Sequence, residues 1–126
     1  ARALQVPAGS TLLRLQVLGE AEQQPLHISE RFFPLPRFEQ LEAVVRATGS
    51  ITAAFAAHGV NDYTRHESRI TAQMPEPEVP SQLKQPAARP VLFVESVNVD
   101  TEDVPIEFAR TWFAGDRVTL TVTHDE

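Results

Sequence analysis

Leu4-Gln5-Val6-Pro7-Ala8-Gly9, followed by Leu12-Leu13-Arg14-Leu15, is written a second time as Leu83-Lys84-Gln85-Pro86-Ala87-Ala88 followed by Val91-Leu92-Phe93-Val94. Leu4 to Leu83, Pro7 to Pro86 and Leu13 to Leu92 are each a step of 79 residues. Further on, Pro25-Leu26-His27-Ile28 meets Pro105-Ile106-Glu107-Phe108 at a step of 80, as if one turn had gained a residue. Each copy reads as a Pro-bearing turn, a strand, a polar turn and a returning strand. Two equivalent β-hairpins in so short a chain imply one sheet with pseudo-twofold symmetry, and a concave surface shared by the halves is a natural seat for a ligand.

Outward from the repeat, the returning strand of the first copy (Leu26, Ile28, Arg31, Phe32, Phe33) is stopped by Pro34-Leu35-Pro36. Phe38, Leu41, Val44 and Val45 keep helical spacing. Gly49-Ser50 then opens a second helix carrying Ile51, Ala54, Phe55 and Ala57, with Gly59 as its stop. Residues 62–74 read as a long strand with a charged first half, and Pro75, Pro77, Pro80 and Pro86 bracket a connector with one short helix near 79–84. The second hairpin runs 91–99 and 104–113 about the turn Thr101-Glu102-Asp103. Gly115-Asp116 then precedes the alternating Val118, Leu120 and Val122 of a final strand. The expected class is α+β, an antiparallel sheet of about six strands with two or three helices.

The 126 residues make one domain, 1–126, with a 42% apolar and 22% charged composition ordinary for a globular chain. No apolar run approaches the roughly 20 residues that span a bilayer, so no membrane partner is expected. The absence of cysteine removes disulfides, thiolate metal sites and thiol catalysis, and fits a cytoplasmic protein. A net charge of −6 argues against a direct grip on nucleic-acid phosphates. The chain opens on Ala1 inside what reads as the start of a structured unit, so an N-terminal neighbour is expected.

Three stretches could carry chemistry. Thr48-Gly49-Ser50-Ile51-Thr52 opens a helix, where Ser50 either caps its own helix or, with Thr52, helps the free N–H groups receive an anion. In Tyr63-Thr64-Arg65-His66-Glu67-Ser68-Arg69, strand alternation would put Arg65, Glu67 and Arg69 on one face. That face is either an anion grip of two guanidiniums oriented by a carboxylate or a solvated edge with a weak ion pair. Arg14 interrupts an apolar strand and either points outward by alternation or lines a pocket. Catalytic constellations are scarce: His27, His58, His66 and His124 lack metal-binding spacing, and no nucleophile elbow or phosphate-binding glycine loop is present. The Asp100-Thr101-Glu102-Asp103 cluster reads as a turn.

Residues 4–15, Pro25-Leu26-His27-Ile28-Ser29-Glu30-Arg31-Phe32-Phe33-Pro34, Gly49-Ser50-Ile51-Thr52, Arg65 to Ala72, and Val104-Pro105-Ile106-Glu107-Phe108 through Trp112-Phe113-Ala114-Gly115-Asp116-Arg117 occur in an order that resembles the UTRA domain. That domain is the effector-sensing half of HutC-type transcription regulators in the GntR superfamily. The Gly-Ser-Ile stretch and residues 65–72 are most similar to the subgroup that regulates phosphonate utilisation. The resemblance implies a chorismate lyase-like fold whose pocket takes a small anionic effector, with no cofactor. It also implies a homodimer, paired through the final strands near 91–122, that meets operator DNA only through an upstream winged-helix domain.

By the same resemblance, the family's first-strand arginine falls on Arg14 and its second gives way to Gln16, so Arg65 or Arg69 would supply the missing charge. The helix-start contacts fall on Ser50 and Thr52, and a pocket carboxylate of sugar-phosphate sensors falls on Ser29. A later carboxylate, expected to take a hydroxyl or amine at the opposite end of the ligand, falls on Glu107, with a ring at Phe113. Two rivals share this fold: a chorismate lyase-like enzyme, and a dimerisation module without a ligand.

Overall fold

The computed structural model describes residues 3–21, 24–74, 90–115 and 118–121. In chain order it contains β1 (Leu12–Ala21), β2 (Gln24–Pro34), α1 (Leu41–Thr48), α2 (Ile51–Ala57), β3 (Tyr63–Gln73), β4 (Val91–Asp100) and β5 (Pro105–Ala114). The strands form one antiparallel sheet in the order β1-β2-β5-β4-β3. Shifting β1 by 79 residues gives the bounds of β4, and shifting Pro25–Pro34 by 80 gives those of β5. The extra residue lies in the second turn, Thr101–Val104.

The sheet order places the symmetry axis between β2 and β5. Glu30 and Arg110 are related by the step of 80 and also stand opposite each other in register, so the axis passes through this pair. Their side chains meet at 3.2 Å.

One face of the sheet carries both helices. Leu13, Leu15 and Phe33 point to that side and pack with Ile106 against Phe38, Leu41, Ala54, Phe55 and Val60. Phe33, Phe38 and Phe55 are fully buried and meet edge to face, with centroids 5.4–6.2 Å apart. Leu41 sinks its side chain there, which explains the helical period read from Phe38 onward. Gly49 ends α1 in the left-handed region (φ 70°), donating its N–H to the Val45 carbonyl at 2.7 Å.

Among the described residues, the opposite face carries no helix. Phe32 stacks on Phe108 there at 6.1 Å, and Phe93 meets Trp112 at 5.2 Å. Arg14 holds Glu30 at 2.9 Å on the same side.

The turn between β4 and β5 is more ordered than a solvated loop. Asp100 Oδ1 accepts from the N–H groups of Glu102 and Val104 at 2.9 and 3.0 Å, and Oδ2 meets Arg37 at 3.0 Å. Burial works to raise the Asp100 carboxyl, but those N–H groups and Arg37 outweigh it and hold it below its ordinary 3.8.

Among the described residues the expected count of about six strands becomes five. Residues 118–121 belong to no strand of the sheet, and Val122 lies outside the described residues. Alternation supplies a strand with a face, not with a hydrogen-bonding partner. The expected short helix near 79–84 and Asp116 of the Gly115-Asp116 turn also lie outside the described residues. Among the described residues, no helix is long and apolar enough to cross a membrane.

Candidate functional site

A chain of hydrogen bonds crosses four strands on the helix-bearing face. Arg31 on β2 donates through Nε to Ser29 Oγ at 3.1 Å and through one terminal nitrogen to Glu107 Oε2 on β5 at 2.9 Å. Asn98 on β4 donates to Glu107 Oε1 at 2.7 Å. Arg65 on β3 donates through Nε to Asn98 Oδ1 at 2.8 Å, and through a terminal nitrogen to Ser68 Oγ at 3.1 Å. Ser29, Asn98 and Glu107 are buried, and register brings Asn98 opposite both Glu107 and Arg65.

The direction of this chain is forced by chemistry. Arginine can only donate and an ionised glutamate can only accept. The Asn98 amide between them must therefore turn its oxygen to Arg65 and its nitrogen to Glu107. Arg31, Arg65 and Glu107 together carry one net positive charge in a polar network that is buried at Ser29, Asn98 and Glu107 and reaches solvent at Arg65 and Ser68. Such a network is held in place before any ligand arrives.

Ser29, Arg65 and Glu107 thus belong to one network, which places Glu107 close to the arginines rather than at the opposite end of a ligand, and each of its oxygens already accepts from a protein donor. Phe113 lies on the same face farther along β5, opposite Leu92, with its ring 5.4 Å from His27. Thr52 Oγ1 meets Tyr63 Oη at 2.9 Å, which ties the first turn of α2 to the start of β3, two residues before Arg65. Ser50 caps α2: its Oγ accepts the Ala53 N–H at 3.0 Å, so the capping alternative is the one built. Ser50→Ala is expected to cost about 1 kcal/mol of stability. Chemical denaturation followed by far-ultraviolet dichroism would measure it.

Three residues fall elsewhere. Arg14 does not line this site, because Leu13 and Leu15 take the core side of β1 and alternation turns Arg14 to the helix-free face. There its guanidinium is held by Glu30 through two nitrogens at 2.9 Å. Arg65, Glu67 and Arg69 do not share a face either. A register shift between Arg65 and Glu67 puts an extra residue, His66, into β3. Such a bulge re-aims everything after it, so Glu67 and Arg69 point to the helix-free side with a separation of 3.9 Å between their charged atoms.

A groove of about 460 Å³ lies on that side, lined in part by Glu67, Arg69, Glu95, Asp103 and Phe108. Acids outnumber arginine in it, so it disfavours an anion.

Arg31 and Asn98 were not singled out by the sequence reading. The available signal for Arg31 was its parity with Phe33, the residue immediately before the proline stop at Pro34. Phe32, equally aromatic, concealed which parity faced the core.

His27 sits at the far end of the same face. Its ring covers Gly19 so closely that a Cβ there would overlap it, and its buried Nδ1 finds no partner among the described residues. Burial, and then the Arg31 guanidinium, lower His27 below its ordinary 6.5. Below that pH the unfolded chain takes up a proton that the folded one refuses, so stability is full above 6.5 and lost as pH falls toward the folded value. The thermal midpoint of the wild type is expected to drop across this window, and that of His27→Phe to drop less.

The class follows from this architecture. A five-stranded antiparallel sheet of two related hairpins, with two helices on one face, is shared with PhnF from Mycobacterium smegmatis. Its crystal structure superposes with a TM-score of 0.85 at 25% identity, over 99% of this chain and 56% of that one. The ligand-binding domain of a putative GntR-family transcriptional regulator from Bordetella bronchiseptica gives 0.83 at 24% identity, over 95% of this chain and 81% of that one.

The family is then settled by sequence: the UTRA domain profile matches residues 1–119, and the chain belongs to the UTRA domain family. An uncharacterized HTH-type transcriptional regulator of Rhizobium meliloti is 39% identical over 97% of this chain and 50% of its own length. The HTH-type transcriptional repressor PhnF of Mycolicibacterium smegmatis is 26% identical over 94% of this chain and 48% of its own length. The chain spans about half the length of these curated relatives.

Proposed function

We propose that this chain is the effector-binding half of a bacterial transcriptional repressor, that it senses a small anionic metabolite on the helix-bearing face, and that it acts in the cytoplasm. The observation that carries the reading is the Ser29-Arg31-Glu107-Asn98-Arg65 network, which is polar, buried at its centre and positive on balance. A module that served dimerisation alone would gain more from hydrocarbon at these positions. The relatives are named as HTH-type transcriptional regulators, and in this reading DNA binding falls to a winged-helix domain outside residues 1–126.

Binding energy that favours one arrangement of the domain would change the spacing of two DNA-binding heads in a homodimer. Coupling of about 1–3 kcal/mol makes a useful switch. β4 and β5 are hydrogen-bonded on both sides, so a dimer can use their faces but not open edges.

The test is calorimetry and thermal shift of the chain against a phosphonate, a sugar phosphate and a dicarboxylate. At least one class is expected to bind and raise the midpoint. No response to any class overturns the reading, and release of 4-hydroxybenzoate from chorismate would transfer the chain to an enzymatic role.

A further inference from the structure

We propose that Glu107 is a built-in counter-anion to Arg31, that Arg31 and Arg65 are the anion grip of the site, and that the effector group they hold carries a single negative charge. The inference deepens the proposed anion-sensing role and rests on it. Arg31 spends Nε on Ser29 and one terminal nitrogen on Glu107, and Arg65 spends Nε on Asn98 and one terminal nitrogen on Ser68. Among the described residues, the remaining terminal nitrogen of each guanidinium meets no acceptor, so each keeps donors for a ligand.

Glu107 is placed differently. Its side chain is 3% exposed and each oxygen already accepts one protein N–H, so burial keeps its remaining lone pairs from an incoming hydroxyl or ammonium. Its effect on a ligand is therefore through charge. It cancels one of two positive charges and leaves room for one anionic charge. A doubly charged group would put its second charge beside a buried carboxylate with no cation left to answer it, and at 3% exposure the Glu107 charge is little screened by water.

Two tetrahedral probes of matching shape separate the charges: methanesulfonate, singly charged, and methylphosphonate, doubly charged at alkaline pH. Wild type is expected to favour methanesulfonate. Glu107→Gln is expected to tighten methylphosphonate about tenfold and to reverse the preference, because one buried negative charge is gone. Arg31→Gln is expected to weaken both probes about 30-fold. The double variant Arg31→Gln/Glu107→Gln has no unpaired buried carboxylate and serves if the single arginine variant does not fold; it is expected to bind both probes more weakly than Glu107→Gln, by about the same 30-fold.

Tighter methylphosphonate binding by Glu107→Gln supports the inference, and weaker binding of both probes overturns it by making Glu107 a direct ligand contact. Binding by wild type that neither arginine variant changes overturns the inference and leaves the anion-sensing reading intact. Binding of neither probe by wild type or by Glu107→Gln overturns the grip itself; the sensing reading then stands or falls on the three ligand classes above.

Discussion

Phe33→Ala is expected to lower the thermal midpoint by about 10–20 °C, whereas Phe32→Ala, one residue earlier, lowers it by only about a quarter as much. Phe33 is fully buried and meets both Phe38 and Phe55 edge to face at 6.2 and 5.8 Å, so it joins the sheet to the helical layer. Truncation removes its transfer free energy and leaves a cavity, about 3–5 kcal/mol in all. A domain of this size has about 5–15 kcal/mol in total.

The helices cannot compensate, because α2 has seven residues and α1 eight, too few to hold themselves without packing. Phe32 lies across the sheet on the half-exposed face, where stacking on Phe108 at 6.1 Å is its main ring contact. Calorimetry on the two variants tests the β2 register directly, since a slip of one residue would exchange their costs.

That same pair shows how far the fold could be read from sequence. The step of 79 residues located β1 and β4, and the step of 80 located β2 and β5, because equivalent hairpins repeat both turn residues and apolar spacing. Helix limits were legible at Gly49 and Ser50, where an αL stop and an N-cap have specific chemistry. Face assignment was harder. In Leu12-Leu13-Arg14-Leu15 the apolar residues on both sides of the sheet blur the alternation, and in Phe32-Phe33 aromatics occupy both faces.

The bulge at His66 left no trace in composition, yet it separates Arg65 from Glu67 and Arg69. A charged strand such as this lacks the apolar face that would fix its register. Of the residues in the network, Arg65 was named from its own strand and Ser29 and Glu107 through the family resemblance, whereas Arg31 and Asn98 become part of it only through cross-strand pairing.

The Arg31–Glu107 pair carries the second large expected effect. Arg31→Gln removes the cation and leaves a carboxylate that is 3% exposed with only Asn98 as donor. Breaking a buried pair from one side costs about 3–5 kcal/mol, and the 24% exposure of Arg31 reduces this to about 2–4. Glu107→Gln is expected to cost somewhat less. Its amide can still accept from one neighbour but must turn an NH2 toward the other, and Asn98 cannot flip to relieve this while Arg65 holds its oxygen.

The double variant should lose less than the two single losses combined, by about 1–3 kcal/mol, because neither change then leaves a buried charge alone. Strictly additive losses in urea denaturation would mean that water already solvates each group separately. In that case the pair could not transmit charge to a ligand either. A coupling of the expected sign, together with tighter methylphosphonate binding by Glu107→Gln, would show that one interaction serves both ends. The contact that holds β2 to β5 near the pseudo-twofold axis would then be the one that decides how much negative charge the site can accept.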